Sequence, residues 1–313
     1  MEIYRRIFAF LTIDVKPAFM YHYYIGLRMD KKKAAKKIKR TRLLYKLFIK
    51  KRTSAEIKYV DTSYGKIRVL EYGFNNNEVK PLYVDIHGGG YCVGIPEMNE
   101  SINNYIMKEA DVKIISIDYP KAPEHPYPIG QEAAYEVVKH YYDNAEQYKI
   151  DKERIGTGGH SSGGNFATVI PMKAKERDEM RFRYQVLCYP GTNISEDPYA
   201  KQGSGKVLTS EFVDAIKACY ITKEEHAYEP YASPCLASKE LLTGLPPALM
   251  MLGDIDLLYH ECVEYSEKLK EAGVDVETHV FEGADHGFIL FKKSKDREKA
   301  LEMIAEFIKR HSH

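Results

Sequence analysis

Gly159-His160-Ser161-Ser162-Gly163 stands between a short β-type run, Arg154–Thr157, and a helical one, Asn165–Glu176. A serine with glycine two residues to either side suits a sharp strand-to-helix turn, because the glycines leave room where a Cβ would clash. The first N–H groups of the following helix favour negative charge at that point. The chemistry on offer is nucleophilic attack by Ser161. Taken alone the motif is weak, since Gly and Ser are ordinary turn residues and a plain glycine-rich loop reads the same way. A phosphate loop fits less well. Gly156-x-Gly158-x-x-Ser161 lacks the third glycine of a dinucleotide fingerprint, and the chain contains no GxxxxGK[ST].

His87-Gly88-Gly89-Gly90 follows the apolar run Leu82–Ile86. Three successive glycines can turn their N–H groups on one point, which is what stabilises the oxyanion of a tetrahedral intermediate. Ser162, the residue after the nucleophile, would add its own backbone N–H. Close backbone packing is the competing account of a glycine triplet; its place ahead of Ser161 favours the donors. A serine nucleophile also needs a base, and the base an orienting acid. Among eleven histidines, His286 is the candidate base, because it sits in Gly283-Ala-Asp-His-Gly-Phe288 directly after the last strand-like run. Gly253-Asp254-Ile255-Asp256 supplies the acid: Asp256, further into its loop, is preferred, and Asp254 is the alternate. Asp285 reads as a surface carboxylate, since sequence neighbours rarely address the same imidazole nitrogen.

These residues need a scaffold, and the chain offers alternating strands and helices. From Ile57 the apolar period is two, through Ile67 and Val69, with a turn at Asn75-Asn76-Asn77. Strand-like runs follow at Leu82–Ile86, Lys113–Ile117, Arg154–Thr157, Tyr184–Cys188, Ala248–Leu252 and Val276–Phe281. Helical spacing appears over Gln131–Tyr142, Asn165–Glu176 and Cys262–Ala272, and again at Leu301, Ile304, Phe307 and Ile308. Strands separated by helices imply a mostly parallel sheet covered on both faces. Residues 190–245 break the rhythm with Gly203-Ser-Gly205, several prolines and one helical patch, and read as an insertion over the sheet edge. Residues 1–55 read as helices, with Tyr4, Ile7, Phe8 and Leu11 on one face and a second helical run over Ile38–Ile49.

The 313-residue length leaves room for a large core, and the composition (44% hydrophobic, 29% charged, 21 Gly, 14 Pro) excludes collagen, coiled coil and wholesale disorder. The net charge of +1 hides an asymmetry. Residues 28–52 hold thirteen Lys/Arg against Asp30 alone, a net +12, and the remainder carries −11. That balance excludes a uniformly basic nucleic-acid binder. Two readings of the basic segment stay open: a solvated helical face that complements an acidic body, which is favoured, and attraction to anionic lipid or an anionic substrate surface. Cys92, Cys188, Cys219, Cys235 and Cys262 are scattered without CxxC spacing, which points to buried free thiols in a reducing cytoplasm rather than to a disulfide framework or zinc. The apolar run Ile7–Ile13 stops at Asp14, short of a signal peptide, and Pro17–Leu27 is too short to span a membrane.

Further motifs fall in the same order: Asp118-Tyr119 with Ala122-Pro-Glu-His-Pro126, the elbow extended to Gly164-Asn165, Tyr231-Ala-Ser-Pro234, Leu245-Pro-Pro-Ala248, Asp256-Leu-Leu258 and His286-Gly-Phe288. Over residues 60–310 the chain resembles the hormone-sensitive-lipase-like branch of the α/β-hydrolases, the esterases with an HGGG motif. The resemblance implies an α/β-hydrolase fold, that is, a mostly parallel eight-stranded sheet with helices on both faces. It also implies a helical cap built from residues 1–55 and the insertion 190–245, on a catalytic domain of residues 56–313. It implies Ser161 as nucleophile, Asp256 as acid and His286 as base, with Gly88, Gly89, Gly90 and Ser162 around the oxyanion. The expected activity is a serine carboxylesterase for short-chain, acetyl-type esters, acting through an acyl-enzyme on a small-molecule substrate. No metal or organic cofactor and no nucleic acid partner is expected; a homo-oligomer is allowed. Phe19, Tyr21, Tyr23 and Tyr24 either pack the cap on the body or line a pocket, and no substrate-binding residue is assigned. The chain departs from the family's usual pattern at His160 and Ser162 (where GDSAGG is usual), at Lys121 (Leu) and at Leu257 (Pro). His160 keeps open an amidase reading, since arylformamidase-like hydrolases often carry GHSAG. A non-catalytic ligand-binding protein on the same fold is the remaining alternative.

Overall fold

The computed structural model describes residues 29–48, 53–291 and 294–313. The helical pattern around Tyr4–Leu11 and the aromatic cluster Phe19–Tyr24 lie outside the described residues.

Eight strands form one sheet: β1 (Glu56–Thr62), β2 (Gly65–Tyr72), β3 (Lys80–Ile86), β4 (Lys113–Asp118), β5 (Ile150–His160), β6 (Tyr184–Cys188), β7 (Ala248–Gly253) and β8 (Val276–Phe281), in the order β1-β2-β4-β3-β5-β6-β7-β8. The hairpin β1–β2 and its junction with β4 are antiparallel, and every pair from β4 to β8 is parallel. The central strands β3, β6 and β7 are buried along nearly their whole length, as parallel strands covered on both faces must be. Gly156 and Gly158, which mimicked part of a phosphate loop, have a packing role here. A Cβ on either would collide with the rings of Tyr184 and Tyr83 from the neighbouring strands.

The longer described helices are α1 (Lys31–Phe48), α2 (Glu100–Ala110), α3 (Ile129–Asp143), α4 (Ser162–Arg177), α5 (Ser210–Tyr220), α6 (Tyr259–Glu271) and α7 (Lys295–Ser312). One face of the sheet packs Val84, Ile86, Ile115 and Ile117 against Val137, Val138 and Tyr141 of α3 and Phe166 and Ile170 of α4. The other packs Tyr83, Ile114, Tyr184 and Val186 against Ile102 and Ile106 of α2 and Leu301, Ile304 and Phe307 of α7. A third cluster joins β7 to Cys262, Tyr265 and Leu269 of α6.

Two helices differ from expectation. α1 begins at Lys31 rather than Ile38, because the Asp30 carboxylate accepts the Lys32 N–H at 2.9 Å and the Asp30 carbonyl accepts that of Ala34. α2 had no predicted counterpart: its inward face carries Asn103, which, with Asn99 before the helix, donates to the buried Asp85 carboxylate at 2.9 and 2.8 Å. Polar residues on the inward face hide the apolar period. Between β6 and β7 the chain leaves the sheet, builds α5 and packs it against α1. Among the described residues, no helix is long and apolar enough to cross a membrane. All five cysteines are buried and free.

Candidate active site

β5 ends at His160 and α4 begins at Ser162, leaving Ser161 alone at the turn with φ 56° and ψ −119°, a conformation that an L-residue keeps only when its surroundings enforce it. The surroundings do so. Its N–H donates to the Cys188 carbonyl at 2.9 Å, and its carbonyl accepts from Gly191 at 3.0 Å. A Cβ on Gly159 would stand 2.8 Å from the Ile86 carbonyl oxygen, and one on Gly163 would overlap that same atom. Both glycines are therefore required for β5, α4 and the end of β3 to meet this closely.

The carboxyl ends of β7 and β8 bring the other two groups to the serine. His286 Nε2 lies 2.9 Å from Ser161 Oγ, and His286 Nδ1 lies 2.8 Å from Asp256 Oδ2. The second Asp256 oxygen accepts the Leu258 N–H at 3.0 Å, so both of its oxygens are held. Asp254 turns away and accepts the Gly283 N–H at 2.7 Å, bracing the acid loop against the histidine loop. Asp285, expected at the surface, is half-buried; it accepts the His286 N–H at 2.7 Å and the Ser204 hydroxyl from the insertion. Burial pulls the His286 pKa down, but the Asp256 charge and hydrogen bond, with Asp285 and Glu261 behind them, outweigh it. The net result is a pKa above the ordinary value.

Gly88, Gly89 and Gly90 line the cleft beside Ser161, and Ser162 supplies the first N–H of α4, which has no acceptor within its helix. Gly89 and Gly90 have positive φ, and Gly90 sits against Ile216 of α5 so tightly that a Cβ would overlap it. His87 Nδ1 lies 2.7 Å from the Gly88 carbonyl oxygen. A carbonyl only accepts, so Nδ1 carries the proton. In the trans peptide that follows, the Gly89 N–H points away from His87. Burial first, and the nearby Lys121 charge second, lower the His87 pKa to about 3, against an opposing pull from Asp118. His87 thus stays neutral, stacked on Tyr119 at 4.4 Å. His160 meets the Tyr189 hydroxyl at 2.9 Å and does not line the cleft; burial, then the His286 and Arg297 charges, lower its pKa to about 3.

The cleft holds about 910 Å³, its open mouth included. Its walls are mainly apolar, with Phe212, Val213 and Ile216 from α5 and Leu208, Leu258 and Leu290 around them. One corner is polar: Asn193, Lys201 and Glu261. Glu261 is buried, accepts the N–H groups of Thr192 (2.6 Å) and Asn193 (3.0 Å), and pairs with Lys201, which also pairs with Glu196. Sequence reasoning missed this corner and Tyr189, whose ring packs edge-on against His286 at 5.1 Å. Lys201 and Glu261 are 60 residues apart and share no motif, so nothing local announces them. Among the described residues, no three His, Cys, Asp or Glu side chains group as metal ligands.

A family profile described as alpha/beta hydrolase fold matches residues 83–290. The chain is 31% identical over 235 residues to the carboxylic ester hydrolase LipN of Mycobacterium tuberculosis, covering 72% of this chain and 61% of that one, so it spans less than two thirds of LipN. It is 29% identical over 230 residues to the ethyl acetate hydrolase of Pseudomonas putida, 72% of each chain. The hyperthermophilic esterase from Pyrobaculum calidifontis superposes with a TM-score of 0.79 at 28% identity, over 98% of this chain and 97% of that one. The fold, the ordered motifs and these likenesses agree: the chain belongs to the hormone-sensitive-lipase-like esterases of the α/β-hydrolase fold family, the carboxylic ester hydrolases.

Proposed function

We propose that this carboxylic ester hydrolase cleaves small, short-chain acyl esters of the acetyl type, with Ser161 as nucleophile, His286 as general base and acid, and Asp256 as the group that orients the imidazole. The observation that carries the reading is the unbroken relay from Ser161 Oγ to His286 Nε2 at 2.9 Å and from His286 Nδ1 to Asp256 at 2.8 Å. Ser161 Oγ bonds to the ester carbonyl carbon while its proton passes to His286 Nε2. The carbonyl oxygen takes the negative charge and accepts N–H donors from the Gly88–Gly90 loop and Ser162. Collapse expels the alkoxide, which takes the proton back from His286. The resulting acyl-enzyme is opened by water through the same steps. Apart from the ester and the hydrolytic water, every group in the scheme is a side chain or backbone amide of this chain.

The short-chain preference draws support from the 29% identity to the ethyl acetate hydrolase of Pseudomonas putida. The same reading assigns the cap to residues 1–55 and 190–245, the catalytic domain to residues 56–313, and the protein to the cytoplasm. Ser161→Ala should reduce hydrolysis of p-nitrophenyl acetate by at least about 10⁴-fold. A series from acetate to decanoate should peak at the short end. Full turnover in the variant would overturn the nucleophile, and a decanoate maximum would overturn the substrate class alone.

A further inference from the structure

The basic segment looks diffuse in the sequence, but α1 sorts its charges. At 3.6 residues per turn, Lys39, Lys32, Leu43, Lys36, Arg40 and Lys33 fall within an arc of about 120°. All six are exposed, with Leu43 59% accessible in the middle of the arc. Ala34 and Ile38 lie on the opposite side and are fully buried. The cations nearer that packed side are engaged. Lys37 pairs with Glu211 at 2.7 Å, Arg42 pairs with Glu124 at 2.7 Å and donates to the Cys92 carbonyl at 2.6 Å, and Lys31 donates to the Thr222 carbonyl at 3.0 Å. None of the five cations of the arc stands within ion-pair distance of an acid among the described residues, although the Lys39 charge reaches Glu124.

We propose that this face of α1 is a docking surface for an anionic phospholipid bilayer. Three observations support a bilayer over any other partner. The cations form one stripe on a helix already fixed to the body, so binding need not order the backbone. An exposed leucine stands at the centre of the stripe, where it can enter the acyl boundary while the lysines meet headgroup phosphates. The charge split of the chain, +12 over residues 28–52 and −11 elsewhere, turns the stripe toward a negative surface and the body away from it. A nucleic-acid backbone would use the cations but has nothing to take the leucine. α1 packs on α5, whose Phe212, Val213 and Ile216 wall the cleft, so docking sets the catalytic cleft one helix behind the bilayer contact. The inference stands apart from the substrate assignment, because binding is read without turnover.

The test is co-sedimentation of the full chain with vesicles of phosphatidylcholine and phosphatidylglycerol, at low and high salt. Sedimentation is expected at low salt, release at high salt, and none with phosphatidylcholine alone. Neutralising Lys32, Lys33, Lys36, Lys39 and Arg40 to Gln should weaken partitioning by about a hundredfold or more. A control with the same charge loss placed elsewhere, at the exposed Lys66, Lys108, Lys152, Lys270 and Lys299, should bind as the parent does. Circular dichroism reports whether each variant is folded, and the milder pair Lys36→Glu with Lys39→Glu replaces the fivefold change if that one is not. The proposal is overturned if the parent does not sediment with the anionic vesicles, if the stripe and control variants weaken equally, or if duplex DNA is bound more tightly than the vesicles.

Discussion

At the residue scale the site depends on how one imidazole is held. Burial alone would make His286 a weaker base, yet its pKa stands above 6.5 because Asp256 faces Nδ1 at 2.8 Å. In the proposed mechanism His286 must be neutral to accept the Ser161 proton. Activity should therefore fall as pH drops through a midpoint above 6.5 in the profile of kcat/KM. Asp256→Asn removes the charge that raises this pKa and leaves the burial that lowers it. The acid limb should move to lower pH while kcat falls by about 10³–10⁴-fold. A profile with an unmoved midpoint would show that Asp256 is not the controlling charge. His87 and His160, each near 3, stay neutral across that range and leave the limb to His286.

At the element scale the turn from β5 to α4 carries the positioning. Two glycines let the end of β3 touch the start of α4, and Ser161 takes a positive φ as a result. Adding one methyl at Gly163 puts a carbon onto the Ile86 carbonyl, a backbone atom that cannot swing aside. Gly163→Ala should cost about 3 kcal/mol or more in urea unfolding and should depress turnover beyond its effect on stability, because β3 leads directly into the Gly88–Gly90 loop proposed to hold the oxyanion. The elbow was legible in the sequence because the residues that adapt to these contacts, Gly159, Ser161 and Gly163, lie within five consecutive positions. α2 was not legible, since Asn103 faces inward to satisfy Asp85, a partner 18 residues away on another element.

At the scale of the molecule, Arg42 ties α1 to the segment that follows the Gly88–Gly90 loop. It donates to the carbonyls of Cys92 and Ala122 and pairs with Glu124. Arg42→Ala leaves two carbonyls without their donor, and a loss of about 1–3 kcal/mol is expected. Limited proteolysis within 31–48 should then quicken before any change in the near-ultraviolet signal of the sheet core. Cleavage at the parent rate would show that the packing of α1 on α5 holds the helix without the arginine. The same helix carries the bilayer stripe, so its attachment to the body decides whether that stripe is presented as a rigid surface.

The sequence by itself determined the αβ alternation, the elbow and the glycine loop. Each rests on local sterics or on a short-range apolar period. Tertiary structure decided what depends on contact between distant segments. It brought Asp256 against His286 and turned Asp254 to the Gly283 N–H, because the loop after β7 delivers the two carboxylates to different partners. It carried His286 across 125 residues to Ser161, and it put Lys201 and Glu261 in the cleft wall. It also sorted the eight described cations between Lys31 and Arg42 into three engaged ones and an exposed stripe of five, because only packing against α5 says which side of α1 faces water. Periodicity fixes which residues share a face; the neighbouring element fixes which face is buried.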